Sequence, residues 1–194
     1  MAKEAQKIYL IRHGETAWSR DGKHTGVTDV SLTDHGRQTA RSLRPVLARE
    51  QFALVLTSPL QRARETCELA GFAKDSRVEP DLMEWNYGDY EGLTTKQIQS
   101  ARPGWSVFHH GCPGGESPEQ VTVRADHMLA KVRAADGNVA LFAHGHILRV
   151  IAARWVNQPP SFGEHLLLDT ATLSVLGYYY DTPAIKAWNA PIER

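Results

Sequence analysis

Just after a polar opening, the chain enters a nearly continuous apolar run, Lys7-Ile-Tyr-Leu-Ile-Arg12, and the same texture returns at Ala53-Leu-Val-Leu-Thr57 and Val139-Ala-Leu-Phe-Ala143. Short apolar runs without alternation predict strands covered on both faces. A helical period follows each run. After Thr33, an expected N-cap, Ala40, Leu43, Val46 and Leu47 share one helical face. Ser58 and Pro59 predict a second helix start, with Gln61 closing a capping box. Ser117-Pro-Glu-Gln120 repeats that signal ahead of a stripe of Val121, Ala125, Met128 and Val132. A last helix is expected from about Ile147 to Val156.

Strands alternating with helices predict an α/β fold: three layers, α/β/α, around a mainly parallel central sheet. The tail breaks the alternation. Thr172 to Tyr179 and Ala184 to Asn189, joined around Asp181-Thr-Pro183, read as a hairpin on one edge of that sheet. Residues 88–116 are rich in Gly, Pro and aromatics and read as a mostly irregular lid or substrate segment. With no repeat, linker or low-complexity tract, residues 1–194 are expected to form one domain.

Composition narrows the partners. The 22 basic and 22 acidic residues cancel, which argues against broad electrostatic binding to nucleic acid or an anionic membrane. The polar start lacks the apolar stretch of a signal peptide, and no run approaches a membrane span, so a cytoplasmic protein is expected. Cys67 and Cys112 show neither a CxxC nor a zinc spacing and read as two unpaired thiols.

The candidate chemistry gathers at strand ends. Arg12-His13-Gly14-Glu15-Thr16 lies where the first strand stops, His144 at the matching end of another, and Arg62 in the first turn of the helix after the second strand. In an open α/β sheet, ligands bind beyond the carboxyl ends of the strands. A histidine pair and two arginines at one mouth suit a phosphate ester. Guanidinium groups match phosphate geometry, and a neutral imidazole attacks phosphorus once that charge is balanced. By charge alone, Asp81, Glu84, Asp89 or Glu91 could act as the acid. Trp85, Tyr87 and Tyr90 are expected as pocket walls, Trp105, Trp155 and Trp188 as packing, and Arg64 in a surface ion pair. Arg149 is either an ion-pair partner on its helix or a reach toward a distal substrate group.

Four ordered motifs carry a resemblance: Leu10-Ile-Arg-His-Gly-Glu-Thr16, Ser58-Pro-Leu-Gln-Arg-Ala-Arg-Glu-Thr66, Met83-Glu-Trp-Asn-Tyr-Gly-Asp-Tyr-Glu-Gly92 and Ala143-His-Gly-His-Ile-Leu-Arg149. In identity, order and spacing the chain resembles the histidine phosphatase (phosphoglycerate mutase-like) superfamily. Within it, the chain looks most like the fungal sedoheptulose-bisphosphatase branch. The resemblance implies that His13 becomes phosphohistidine, that Arg12, Arg62 and His144 bind the phosphoryl oxygens, and that Glu84 donates the proton. It implies a substrate-contacting turn at Thr25-Gly26, to which His24 is adjacent, and substrate contact at Tyr87. Gly145, His146 and Arg149 are further candidate substrate-binding residues. Many members carry Asn where this chain has Ser19, whose hydroxyl could donate one hydrogen bond to phosphate.

The expected activity is hydrolysis of a small phosphorylated metabolite, a sugar phosphate or bisphosphate such as sedoheptulose 1,7-bisphosphate, with no metal and no cofactor. The alternatives are a phosphoglycerate mutase and a phosphoprotein phosphatase or phospho-binding protein. Mutases carry a larger insertion where this chain has only Gly92 to Gly114. No oligomeric state is assigned.

Overall fold

The three apolar runs are neighbouring strands of one sheet. The computed structural model describes residues 6–192, so residues 1–5, within the polar start read above as free of a signal peptide, lie outside the described residues. Strands β1 (Ile8–Arg12), β2 (Phe52–Thr57), β3 (Ser76–Val78) and β4 (Asn138–Ala143) run parallel, while β5 (Leu173–Tyr179) and β6 (Thr182–Ala190) join antiparallel. Their order is β3-β2-β4-β1-β5-β6, with the tail hairpin at one edge.

Side-chain alternation splits the sheet's residues between two cores. Ile8, Leu10, Val139 and Leu141 face one, and Tyr9, Ile11, Ala140 and Phe142 face the other. Both faces are therefore covered, as continuous apolar strands require. The helices are α1 (Ala17–Arg20), α2 (Asp34–Ser42), α3 (Arg44–Leu47), α4 (Gln61–Cys67), α5 (Thr95–Ala101), α6 (Val107–His110), α7 (Pro118–Ala134) and α8 (Gly145–Trp155). The first core takes Val121, Ala125, Met128 and Val132 of α7 with Leu148 and Ile151 of α8; the second takes Leu43, Leu47 of α3 and Cys67 of α4. Thr33 and Ser117 cap α2 and α7 as expected, the latter in a full capping box with Gln120.

Three expectations are corrected. Ser58 and Pro59 do not open α4, which begins at Gln61 after Leu60; its first N–H, that of Gln61, donates to Asp29 Oδ1 at 2.8 Å. The last helix starts at Gly145, two residues before the expected Ile147. The 88–116 segment is less irregular than expected, since it contains α5, capped by a Thr94–Gln97 box, and α6. Trp105 and Trp155 are packing residues whose indole N–H groups donate to the carbonyls of Gly111 and Gly177. Cys67 and Cys112 are buried and free. Among the described residues no helix is long and apolar enough to cross a membrane.

Candidate active site

The register of the sheet builds the site. Arg12 pairs with Ala143 and Thr57 with Phe142, so the residues that follow, His13, Ser58 and His144, leave the sheet side by side. His13 keeps a ladder bond to the Ala143 carbonyl at 3.0 Å. Its Nδ1 lies 2.7 Å from the Gly14 carbonyl, which can only accept, so Nδ1 carries the proton and Nε2 keeps its lone pair. Burial, then the charges of Arg62 and Arg12, hold the His13 pKa well below its usual value, so the ring is neutral. Gly14 itself is fixed from two sides. Its N–H donates to Thr66 Oγ1 of α4 at 3.0 Å, and a Cβ there would fall 2.4 Å from the Gly36 carbonyl of α2.

Beside His13 stands a second neutral histidine, His144, with ring centroids 5.1 Å apart. Burial, followed by Arg62, depresses its pKa well below the ordinary histidine value. His144 Nδ1 accepts from Arg62 Nε at 3.1 Å, so Nε2 is protonated and donates to Ser58 Oγ at 2.8 Å. Both ring nitrogens are thus committed, and the expected direct bond from His144 to a phosphoryl oxygen has no free donor in this arrangement. Arg62 is fully buried and holds the 25–28 loop: Nη1 donates to the Thr28 carbonyl, and Nη2 to those of Thr25 and Gly26. Four of its five N–H donors are therefore spent on protein acceptors. Arg12 differs. Its Nη1 donates to the Leu168 carbonyl, while its buried Nε has no partner among the described residues.

A cavity of about 270 Å³ opens above these groups. Of the expected site residues, Arg12, His13, Ser19, His24, Thr25 and Glu84 line it, as do Tyr87, Gly145, His146 and Arg149. Arg62, His144 and Gly26 sit behind that wall; the Gly26 N–H is taken by Glu91 Oε1 at 2.7 Å and its carbonyl by Arg62. Ser19 reaches the cavity, yet its hydroxyl donates to the Thr16 carbonyl in the cap of α1. Sequence reasoning missed Gly22, Lys23, Thr95 and Leu168. Lys23 abuts the His24-Thr25-Gly26 turn and was within reach of the motif, whereas Leu168, whose backbone carbonyl Arg12 uses, leaves no signal in sequence.

Glu84 alone among the candidate acids faces the cavity. Asp81 pairs with Lys131 at 3.2 Å, Glu91 holds the N–H groups of Gly26 and Thr28, and Asp89 lies against Gly114. The Glu84 carboxylate accepts three backbone N–H bonds, from Trp85, His146 and Ile147, at 2.9 to 3.0 Å. Burial is the largest single influence and pushes its pKa up, but the hydrogen bonds of His146 and the electrostatic pull of His146 and His144 together outweigh it and leave the carboxyl well below the usual range. The Tyr87 hydroxyl is hydrogen-bonded to His146 Nδ1 at 2.6 Å, and burial lifts the phenol well above its ordinary pKa. Trp85 and Tyr90 are not pocket walls. Trp85 is fully buried, edge-on to Phe108, and Tyr90 stacks edge-on against Trp105. Arg64 is exposed and makes no ion pair among the described residues. Arg149 is not an ion-pair partner either; it donates to the carbonyls of Gly163 and Glu164 and lines the cavity.

A neutral imidazole with a free lone pair, set in a field of buried guanidinium groups, suits attack on an anionic ester at phosphorus, and fold and site together define a phosphatase. The chain belongs to the histidine phosphatase superfamily (branch 1), whose family model matches residues 8–191. It is 41% identical over 182 residues to an acid phosphatase of Mycobacterium tuberculosis, covering 92% of this chain and 89% of the relative. It is 35% identical over 183 residues to the sedoheptulose 1,7-bisphosphatase of Saccharomyces cerevisiae, covering 77% of this chain and 67% of the relative. A solved structure of a Mycobacterium tuberculosis open reading frame superposes with a TM-score of 0.92 at 38% identity, covering 97% of this chain and 99% of that one.

Proposed function

We propose that the protein hydrolyses the phosphate monoester of a small sugar-like metabolite through a phosphohistidine on His13, without a metal. The observation that carries this reading is the fixed tautomer of His13: with Nδ1 bound to the Gly14 carbonyl, the Nε2 lone pair is the free nucleophile. Arg12 Nε, buried and without a partner among the described residues, is the donor that a phosphoryl oxygen would satisfy. Arg62 and His144 act from behind, Arg62 through its charge and remaining N–H, and His144 by keeping Arg62 oriented.

The cycle has two in-line displacements. In the first, His13 Nε2 bonds to phosphorus, the P–O bond to the leaving group breaks, and Glu84 gives that oxygen a proton. In the second, Glu84 takes a proton from water, whose oxygen attacks phosphorus and releases phosphate and neutral His13. The resting Glu84 is a carboxylate, so its proton arrives with the substrate bound as the phosphate monoanion, whose negative charge lifts the pKa of the neighbouring carboxylate and lets the proton pass to it. A sugar phosphate is supported by a cavity lined with hydroxyl, imidazole and cationic groups, and by similarity to the yeast sedoheptulose 1,7-bisphosphatase.

The test is trapping. An N–P bond of this type survives alkali and breaks in acid, so alkaline quenching during turnover of a labelled ester should leave label on the wild-type chain and none on His13→Ala. Label retained by His13→Ala would remove His13 from the role. Activity should also persist after EDTA treatment; loss that magnesium or zinc restores would overturn the metal-free cycle.

A further inference from the structure

A proton donor must come within hydrogen-bond reach of the oxygen it serves, so the backbone that carries Glu84 has to be held as firmly as its carboxylate. Helix α8 meets the carboxylate with the N–H groups of His146 and Ile147, both at 3.0 Å. The backbone is held from a different side, by two charged side chains at the start of α7 that the cycle above does not use.

Arg124 lies about two turns into α7, and Glu116 two residues before its first, Pro118. Arg124 Nε donates to Glu116 Oε1 and Nη2 to Oε2, both at 2.8 Å, with the two side chains only 18% and 20% exposed. The remaining donors turn to the chain leading into Glu84. Nη1 donates to the carbonyls of Asp81 at 2.8 Å and Met83 at 3.0 Å, and Nη2 lies 3.5 Å from the carbonyl of Glu84 itself. All five N–H donors of the guanidinium are thereby taken. Glu116 holds the chain leading out. Its Oε2 accepts the Asn86 N–H at 2.9 Å, its carbonyl accepts the Trp85 indole N–H at 3.0 Å, and its own N–H donates to the Asn86 carbonyl at 2.9 Å.

The two charges balance each other, so what the pair presents to residues 81–86 is a fixed set of donors and acceptors. Packing does not do the same work here. A cavity of about 250 Å³ lies against this stretch, bordered by Pro80, Met83, Glu84 and Asn86 together with Glu116 and Arg124. Without the guanidinium fork the stretch has room to shift, and a misplacement of about 1 Å can cost about 10²-fold in rate.

We propose that Arg124 and Glu116 are positioning residues for the proton transfer: they fix the backbone on both sides of Glu84 and so set its carboxyl against the leaving-group oxygen. Neither lines the cavity on which His13 opens, so they act through Glu84 alone. The inference rests on the reading above, in which the protein is a phosphatase and Glu84 its acid.

The experiment compares phenyl phosphate with p-nitrophenyl phosphate. The two esters share a ring and differ in how much the departing oxygen needs a proton, and kcat/KM covers the steps up to that departure. The ratio of kcat/KM, phenyl over p-nitrophenyl, should fall about 10- to 100-fold in Arg124→Leu and by as much in the double variant Arg124→Leu/Glu116→Leu. The double variant leaves neither charge without its partner, so it decides by the same ratio should Arg124→Leu fail to fold. On a Glu84→Gln background, Arg124→Leu should lower the ratio no further, because the two changes act on one step. A merely structural role would slow both esters alike. A ratio within twofold of wild type in the folded variants therefore overturns the positioning role, as does a further fall on the Glu84→Gln background. A Glu84→Gln variant with the wild-type ratio would instead overturn Glu84 as the acid, and cleavage of neither ester by the wild type would overturn the phosphatase reading, so the failures are told apart.

Discussion

Burial acts on His13 and Glu84 in opposite senses, and the polar contacts of each decide the outcome. Desolvation favours the neutral form of both. For His13 the charges of Arg62 and Arg12 act in the same direction, and the ring stays neutral; for Glu84 the backbone N–H bonds and His146 win, and the carboxyl stays ionised. The pH dependence of turnover follows from these signs. His13 needs no deprotonation on the acid side until far below its usual value, whereas the proton for the leaving group must be present in the complex. We expect kcat/KM for an alkyl phosphate to fall as pH rises through about 6, where a phosphate monoester loses its second proton, and to stay high below it. A rate that rises from pH 5 to 8 would contradict this account. Glu84→Gln should slow an alkyl phosphate by about 10²–10⁴, and should slow phosphorylation by p-nitrophenyl phosphate much less, because that leaving group scarcely needs a proton. Equal losses in single-turnover measurements would show that Glu84 is not the acid.

One element, α4, ties His13 to the charges around it. From its first turn Arg62 reaches His144 and the 25–28 loop; one turn later Thr66 Oγ1 accepts the Gly14 N–H at 3.0 Å and donates to the Arg62 carbonyl at 2.7 Å. Thr66 is fully buried. Thr66→Val keeps the shape and deletes the oxygen, leaving the Gly14 N–H buried without an acceptor, which costs about 1–3 kcal/mol. The midpoint of urea unfolding should drop accordingly. Because Gly14 carries the carbonyl that fixes the His13 tautomer, kcat should drop as well; full activity in a destabilised protein would detach α4 from the placement of His13. Legibility at this scale followed the amount of apolar surface. β1, β2, β4, α7 and the tail hairpin were legible because each buries a run or a stripe. α5 was not, since only Ile98 of its seven residues is buried, and its sole sequence sign is the Thr94–Gln97 box. β3 is three residues long and presents no apolar run. The Ser58 hydroxyl, read as a helix cap, accepts only the Leu60 N–H ahead of α4, at 3.3 Å, and its shorter bond is from His144, a contact 86 residues away that local pattern does not encode.

For the whole molecule, Arg12, His13, Gly145 and His146 could be read in advance because they lie at or just beyond adjacent strand ends, and Glu84 and Tyr87 because they fall in a recognisable motif, whereas the far wall could not. Lys23, Thr95 and the Leu168 carbonyl arrive from separate loops and helices, and only the assembled fold brings them together. That far wall also decides between hydrolysis and isomerisation. A mutase must shelter its phosphohistidine from water until a second hydroxyl of the substrate attacks, which calls for a segment able to close over the site. The segment that borders this cavity, running through α5 and α6, is pinned. Ile98, Trp105, Val107 and Phe108 are all buried in the core that also holds α7 and α8, and swinging the segment as a lid would expose them. Each such side chain brought into water costs about 1.5–3 kcal/mol, so a closing motion on that scale opposes the fold itself. Water therefore reaches phosphorus in the open cavity. With 3-phosphoglycerate, even in the presence of 2,3-bisphosphoglycerate, we expect interconversion with 2-phosphoglycerate to be negligible, and with any ester that phosphorylates His13 we expect inorganic phosphate to be released within each turnover. Following both phosphoglycerates and phosphate in one time course separates the activities. Rapid exchange of the two isomers with little phosphate formed would make the protein a mutase while leaving His13 as the group that carries the phosphoryl.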